Sequence, residues 1–224
     1  IAWLRRTLPE SELFHQHQLE NAKKGVWAPF REILQHHRRE MLSIALIAMF
    51  FWFQLSSALF FMSKYLQETR GFAPQEVSLL YIVAGAVAIM GNTTSGRLSD
   101  HIGRRPTLVA GLVLNCFATI VFYNTGGWLL PLAWIAALFS YFAVEVVISA
   151  MSGELFPTQC RSTASTLRSI AGMFAAVAGL AVEGTLFASL GSHTAALSVM
   201  CFSSLLAVPV VVLMLRETSA TQLS

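Results

Sequence analysis

Charged residues are scarce in this sequence. Asp, Glu, Lys and Arg make up only 12% of its 224 residues, whereas they make up roughly a quarter of a soluble domain. Hydrophobic residues account for 55% of the chain, and the mean hydropathy is +0.60. This composition predicts a membrane protein.

The sequence also lacks the signals of several other protein classes. Its three cysteines, Cys116, Cys160 and Cys201, have no paired spacing, so they indicate neither a disulfide framework nor a zinc site. No basic stripe with interleaved aromatic residues favours nucleic acid binding. No Gly-x-x-x-x-Gly-Lys-Ser/Thr loop favours nucleotide binding, and we expect no cofactor. The pair His36-His37 could hold a metal ion, but a solvated cluster at the lipid headgroups is the expected arrangement.

Long uncharged runs dominate the rest of the chain. They predict six membrane spans of about 20 residues, at about 41–63, 77–98, 106–123, 128–152, 166–190 and 194–215. Residues 1–40 read as a cytoplasmic loop with interfacial helices, and residues 216–224 as a cytoplasmic tail. Because the chain begins at Ile1 without a Met or a signal peptide, we expect it to be a fragment.

Basic residues predict the orientation of these spans. With six spans, thirteen of the fifteen Lys and Arg residues fall on one side, and only Lys64 and Arg70 fall on the other. Because cytoplasmic loops carry an excess of Lys and Arg, both termini are predicted to be cytoplasmic. We expect a multi-pass protein of the plasma membrane, or of the inner membrane in a bacterium.

The turn between the second and third spans carries the most specific pattern, Gly-x-x-x-Asp-x-x-Gly-Arg-Arg, formed by Gly96, Asp100, Gly103, Arg104 and Arg105. A basic loop that only fixes topology is the simpler reading of such a turn. The order of the residues, however, resembles the loop signature of the major facilitator superfamily of secondary transporters.

Two further stretches resemble that superfamily. Glu154-Leu155-Phe156-Pro157-Thr158 followed by Arg161 is similar to the Glu-x-x-Pro-x-x-x-Arg loop of sugar porters and metabolite–proton symporters, and Pro9-Glu10-Ser11 is similar to the start of their central loop. Arg216-Glu217-Thr218 is a weaker match. The resemblance implies an all-α membrane protein, the C-terminal half of a twelve-helix fold. Its six transmembrane helices would form two inverted three-helix repeats, with a cavity shared with an N-terminal half.

The sequence indicates the substrate class less specifically than it indicates the family. Gln54-Leu55-Ser56 is similar to the start of a sugar porter motif, but Ser57-Ala58-Leu59 replaces the glycine and asparagine of that motif. Residues 65–74 resemble organic acid and metabolite–proton symporters more closely. We therefore expect an organic acid or related metabolite as the substrate, with a sugar as the alternative.

Carboxylates inside the apolar runs are the main candidates for chemistry, because they are costly in a bilayer and face a cavity or the bundle interior. Glu145 shares a helix face with Tyr141 and Trp134, which suits a cavity that binds an organic solute. Glu183 shares a face with the small residues Gly172, Ala176 and Gly179, which predicts close helix packing there. Either carboxylate could exchange protons, although Glu183 could also simply reach water.

Other polar residues have alternative roles as pocket or packing groups. Gln54 and Ser57 in the first span could contact a solute or hydrogen-bond to other helices. Glu154 could pair with Arg104 or Arg105, and Asp100 could cap the fifth transmembrane helix near residues 162–165. Such contacts would form a cytoplasmic gate made of Gly96, Asp100, Gly103, Arg104, Arg105, Glu154 and Arg161.

The sequence therefore predicts a proton-coupled transporter of a small organic solute. The expected partners are the solute, protons, the N-terminal half and the lipid bilayer, without nucleic acid. An intramembrane serine hydrolase using Ser152 with His101 or His193 is disfavoured, because Ser152 has no glycine two residues before it. A non-transporting receptor or scaffold on the same fold stays open, and solute uptake would distinguish it.

Overall fold

A computed structural model describes residues 27–218, which form eight helices and one π-helical turn. The turn, Tyr65–Thr69, directly continues α2. The helices are α1 Ala28–His36, α2 Arg38–Lys64, α3 Pro74–Ile102, α4 Arg104–Asn124, α5 Leu129–Leu155, α6 Arg161–Leu190, α7 His193–Cys201 and α8 Ser203–Met214. Residues 1–26 and 219–224, including Pro9-Glu10-Ser11, lie outside the described part.

Six helical segments are long and apolar enough to cross a membrane, and no strand occurs between residues 27 and 218. They are α2 with its π-helical turn, α3, α4, α5, α6, and α7 together with α8. The fold is therefore all-α with six transmembrane helices, as the sequence predicted.

The turn after the second span is shorter than the sequence indicated. Helix α3 continues through the Gly96–Asp100 stretch to Ile102, and only Gly103 leaves the helix, with φ +114°. Glycine adopts such a positive φ without the steric cost that a Cβ imposes. The charged side chains of the pattern thus project from a helix end rather than from a loop.

The contacts between the helices have an internal pseudo-twofold symmetry. Helix α2 packs on α6, and α5 packs on α3. Helix α4 packs on α5, the α7–α8 segment packs on α2, and α4 also contacts α8. Exchanging α2–α3–α4 with α5–α6–(α7–α8) reproduces this set of contacts. Since each unit crosses the membrane three times, the two units run in opposite directions, as inverted repeats do.

Small residues bring α2 and α6 into backbone contact. A Cβ built on Gly179 would lie 1.9 Å from the carbonyl oxygen of Phe53, and one on Gly172 would lie 3.0 Å from the Trp52 ring. The Ser56 hydroxyl donates to the Ala176 carbonyl oxygen at 3.0 Å. The close packing predicted for this face of α6 is confirmed, and it places Trp52 beside the first half of α6.

Helix α1 packs across one end of the bundle. Its Ile33 is fully buried in a small cluster with Phe156, Cys160 and Ala164, while Trp27 and Leu34 are exposed. One apolar contact with the bundle and other exposed apolar side chains suit a helix that lies along a membrane surface.

Candidate functional site

Glu145 of α5 binds side chains from two neighbouring helices. The Trp52 indole nitrogen of α2 donates to its Oε1 at 2.9 Å, and Arg168 Nη1 of α6 donates to its Oε2 at 3.2 Å. Glu145 lies ten residues, or about 15 Å, before the end of α5. The carboxylate is therefore near the middle of a helix that is long enough to cross a bilayer core about 30 Å thick.

Arg168 is only partly satisfied by its neighbours. Its Nη2 lies 3.4 Å from the Ser149 hydroxyl, while its Nε is buried and has no hydrogen-bond partner among residues 27–218. The side chains of Arg168 and Glu145 are 13% and 22% exposed. A guanidinium group with an unused donor in a partly closed site is suited to bind an anion.

A cavity of about 200 Å³ adjoins this pair. It is lined by Trp52, Glu145, Arg168, Ser169, Met173 and Ala176. One side of the cavity is charged and the others are apolar or aromatic. This arrangement suits a small organic molecule with an anionic group. We call it the Glu145 cavity.

The two aromatic residues predicted to share the Glu145 face lie in different places. The Tyr141 ring lies 6.3 Å from the Trp52 ring, edge to face, and 6.2 Å from the Phe51 ring, so it supports the wall of the cavity. Trp134 is buried, and its indole nitrogen contacts the Met62 sulfur at 2.7 Å. Eleven residues separate it from Glu145, or about 16 Å along the helix.

Gln54 and Ser57 are buried in the contact between α2, α4 and α5. Gln54 Nε2 donates to Asn115 Oδ1 at 2.6 Å, and Asn115 Nδ2 donates to the Ser140 hydroxyl at 3.1 Å. These contacts match the interhelical alternative considered for Gln54. Within the described residues, Gln54 Oε1 and the Ser57 hydroxyl are buried without a partner.

Glu183 lies toward the opposite end of α6 and is only 1% exposed. His193, the first residue of α7, lies with its Nδ1 2.6 Å from Glu183 Oε1. The alternative in which Glu183 reaches water is therefore wrong, because its side chain is enclosed by protein.

Arg104 is the centre of a charged cluster where α3 meets α4. It contacts Glu154 Oε1 at 2.7 Å and Asp100 Oδ1 at 2.8 Å. Asp100 therefore pairs within its own turn rather than capping α6. The Thr218 hydroxyl donates to Glu154, and Glu217 accepts the backbone N–H groups of Arg104 and Arg105 at 2.7 and 3.1 Å. These six residues form the arginine network.

The remaining residues of the predicted gate make backbone contacts around this network. Arg105 donates to the Val212 carbonyl oxygen, and Arg161 Nε donates to the Phe156 carbonyl oxygen at 3.2 Å. A Cβ on Gly103 would lie 2.9 Å from Glu217 Oε2, so Gly103 admits the Glu217 carboxylate. Gly96 lies on α3, where a Cβ would contact only Val146, at 4.0 Å.

The residues of the two disfavoured alternatives, a serine hydrolase and a metal site, have other contacts in residues 27–218. The buried Ser152 hydroxyl donates to the Ile148 carbonyl oxygen at 2.8 Å, and His101 Nδ1 lies against the Arg97 carbonyl oxygen at 2.9 Å. No group of three His, Cys, Asp or Glu side chains suited to a metal ion occurs in this part of the chain.

Comparison with known proteins identifies the family. The sequence model of the Major Facilitator Superfamily matches residues 4–223. The chain belongs to this superfamily.

Proteins similar to this chain are transporters and a solute carrier. The chain is 26% identical over 228 residues to the putative niacin/nicotinamide transporter NiaP of Bacillus subtilis, covering 99% of this chain and 55% of NiaP. It is 26% identical over 177 residues to the glycine betaine/proline/ectoine/pipecolic acid transporter OusA of Dickeya dadantii, covering 72% and 34%. It is 37% identical over 121 residues to human solute carrier family 22 member 12, covering 52% and 21%.

A solved structure shows the same superfamily fold. It is the crystal structure of a bacterial homolog of the human lysosomal transporter Spinster, in an inward-facing and unoccupied conformation. The TM-score is 0.59 at 19% sequence identity, and the match covers 86% of this chain and 49% of that one. The chain thus spans about half of that transporter and about half or less of the curated relatives it matches.

Sequence reasoning missed the partners of Glu145 and Glu183, which are Arg168 and His193. Arg168 was read as the start of a span, although a basic residue two turns inside a helix is itself a signal of an interior role. His193 was read as part of a turn. Neither pairing could be found from spacing, because Arg168 lies on a different helix from Glu145 and His193 on a different helix from Glu183.

Proposed function

We propose that this chain is one half of a secondary active transporter that moves a small organic acid or related metabolite together with a proton. The Arg168–Glu145 pair beside a cavity in the membrane is the observation that carries this proposal. In alternating access, such a site is exposed to one side of the membrane at a time.

Charge balance explains why a proton would accompany an anion. With Glu145 ionised, the pair has no net charge. A bound substrate carboxylate would give the site a net negative charge, which is costly at this depth. Protonating Glu145 removes one negative charge and loosens its hold on Arg168, so the guanidinium can bind the substrate instead. One anion and one proton would therefore bind together.

The apolar wall of the cavity supports an organic substrate. The Trp52 indole and the Met173 side chain provide apolar surface for contact with a substrate. The Tyr141 ring packs against Trp52 and supports its position. Most of the compounds named for the relatives fit this class, because niacin, glycine betaine, proline, ectoine and pipecolic acid carry a carboxylate, whereas nicotinamide carries a neutral amide. Arg168 supplies the cation that such a group requires.

Other residues complete the proposed cycle. Gln54, Ser57, Tyr141, Trp134 and Glu183 are assigned to the substrate pathway or to proton coupling. The arginine network, with Gly96, Gly103 and Arg161, is assigned to a cytoplasmic gate that opens when Arg104 releases Glu154. The other six-helix half would supply the facing wall of the cavity. We place the transporter in the plasma membrane, or a bacterial inner membrane, with both termini cytoplasmic.

A matched pair of solutes tests this proposal. Cells that express the full-length transporter are given labelled niacin, which carries a carboxylate, or nicotinamide, which carries a neutral amide on the same ring. We expect uptake of the acid to exceed that of the amide and to collapse when a protonophore is added. A preference for the amide would contradict the role of Arg168, and uptake of the acid that survives the protonophore would contradict proton coupling.

A further inference from the structure

Glu183 is a buried carboxylate that the Glu145 cavity does not use. It follows Arg168 by fifteen residues on α6, or about 22 Å along the helix axis. Its side chain is 1% exposed, and Oε1 lies 2.6 Å from His193 Nδ1. A buried carboxylate requires a partner that can offset its charge, and His193 is the ionisable group in contact with it.

Aromatic rings fix the orientation of the His193 ring. Phe187 stacks on one side with its centroid 4.0 Å away, and the Phe61 ring lies 4.5 Å away. Both rings are within 26° of parallel to the imidazole. The His193 side chain is 28% exposed, so one edge of the ring meets Glu183 while another remains accessible. Aromatic faces also stabilise an imidazole that becomes cationic.

A polar cavity of about 240 Å³ adjoins this ring at the end of the bundle opposite the arginine network. It is lined from α2 by Phe61 and Lys64, from the π-helical turn by Tyr65, Glu68 and Thr69, from α4 by Tyr123, and by residues 187 and 191–194. We call it the His193 cavity. It provides a route for water to the imidazole.

The other titratable groups that face this cavity are already paired. Lys64 and Glu68 form an exposed pair at 3.9 Å, which is neutral as a unit. The Tyr65 hydroxyl donates toward the Phe122 carbonyl oxygen at 3.2 Å and accepts from Arg70 Nε at 2.7 Å. The Tyr123 hydroxyl donates to the Ala58 carbonyl oxygen. At this cavity, the Glu183–His193 contact is therefore the one that joins a histidine to a buried carboxylate.

We propose that Glu183 and His193 form a proton-binding site that is loaded from the non-cytoplasmic side through the His193 cavity. When Nδ1–H donates to an ionised Glu183, the pair carries one negative charge. A proton added at Nε2 from the cavity makes the pair neutral. The neutral pair is cheaper to keep within the bundle, which favours proton uptake at this end.

This inference rests on the proposed function, because it assigns a point of proton entry to the same transporter, separate from Glu145. His193 is thus a positioning residue for coupling, and it does not touch the solute.

Ring nitrogen signals test the site without relying on transport. The full-length transporter, labelled with ¹⁵N at histidine and held in lipid nanodiscs, is acidified from about pH 8 to about pH 5. The His193 signals are assigned by their loss in His193→Gln. We expect Nε2 of His193 to gain a proton over this range, and this gain to move to lower pH in Glu183→Gln, because the carboxylate that stabilises the imidazolium is removed. A ring that gains its proton equally in Glu183→Gln, or gains none in the unmodified protein, would overturn the proposal.

Uptake into proteoliposomes at fixed internal pH tests the role in coupling. External acidification should raise the initial rate in the unmodified transporter, and His193→Gln and Glu183→Gln should lose most of that increase. Glu76→Gln, an exposed carboxylate at the start of α3 that does not line this cavity, should retain it. An unchanged increase in both variants would overturn the entry role. If His193 gains its proton but uptake ignores pH, the binding site stands and the proposed proton coupling is contradicted.

Discussion

At the scale of single residues, the proposal depends on the shape of one guanidinium group. Arg168 uses Nη1 for Glu145 and directs Nη2 toward Ser149, and it keeps a buried Nε without a partner in the described residues. A planar guanidinium group with a spare donor can exchange its hydrogen bonds with a protein carboxylate for hydrogen bonds with a substrate carboxylate. An ammonium group has no such fork.

Arg168→Lys is the sharpest substitution at this site. We expect it to keep the positive charge but to lose the two-point contact, which reduces kcat/KM for a carboxylate solute by about tenfold to a hundredfold, since one charged hydrogen bond contributes about 1.5–3 kcal/mol. The initial rate of labelled uptake measures the effect. Arg31→Lys, the same change at an exposed residue of α1 outside the cavity, is the control. An Arg168→Lys variant with normal kcat/KM would contradict a bidentate role.

Cys160 reports on the docking of α1. Burial, together with nearby Glu32, raises the pKa of its thiol to about 11. The thiolate is the reactive form. A pKa raised from 9.0 to about 11 lowers the thiolate fraction near pH 7 about a hundredfold, so alkylation should be about a hundredfold slower than for an unperturbed thiol. Maleimide labelling followed by mass spectrometry measures the rate.

Undocking α1 provides the matched comparison for Cys160. Ile33→Ala removes the buried contact of α1 with the Phe156 and Cys160 cluster, and labelling of Cys160 should then accelerate. Labelling at the rate of a free thiol in the unmodified protein would show that α1 does not cover Cys160.

At the scale of helices, the α2–α6 crossing positions side chains that contact both carboxylate sites. Trp52 of α2 donates to Glu145, and Phe61 of α2 stacks on His193, the partner of Glu183. The crossing depends on Gly179, which contacts the α2 backbone. A change there should alter both sites at once.

Gly179→Ala should therefore destabilise the protein by about 1–3 kcal/mol or more, as overpacking does, because its Cβ would overlap the Phe53 carbonyl oxygen at 1.9 Å. The measurement is the apparent melting temperature of the purified full-length transporter. Gly184→Ala on the same helix is the control, since a Cβ there has no atom within 4 Å. Equal stability of the two variants would contradict the backbone contact.

Sequence reasoning reached the helices but not the pairings between them. The apolar runs predicted six spans because membrane helices must satisfy their backbone internally, and the small-residue face of α6 predicted its close contact. The pattern at Gly96–Arg105 predicted the family, although α3 remains helical to Ile102. The pairing of Arg168 with Glu145 and of His193 with Glu183 depends on how the helices rotate and cross. Residue spacing within one helix does not predict those contacts between helices.

At the scale of the whole molecule, the arginine network connects four segments of the chain at one end of the bundle. Residues of α3, α4, α5 and the segment after α8 meet at Arg104. The Arg104 and Glu154 side chains are each 12% exposed, so their attraction is less screened than that of surface pairs. Opening this end requires that contact to break, which makes it a suitable determinant of the conformational equilibrium.

Glu154→Gln should shift that equilibrium toward the state open at the network end by about 1–3 kcal/mol. This is less than the cost of breaking a fully buried pair, because Asp100 still holds Arg104. Distances between spin labels placed on the two halves of the full-length transporter measure the populations. Glu68→Gln at the opposite end is the control, and an unchanged distribution in Glu154→Gln would exclude the network as a gate.

The central claim is that Glu145 carries the proton that accompanies the solute, and one comparison tests it most directly. Glu145→Gln transporter in proteoliposomes is assayed for accumulation of labelled carboxylate driven by a pH gradient, and for exchange of that solute at equal concentrations on both sides. A permanently neutral residue 145 should abolish accumulation and leave exchange largely intact, because Arg168 still binds the anion. Accumulation that still follows the pH gradient would contradict the account.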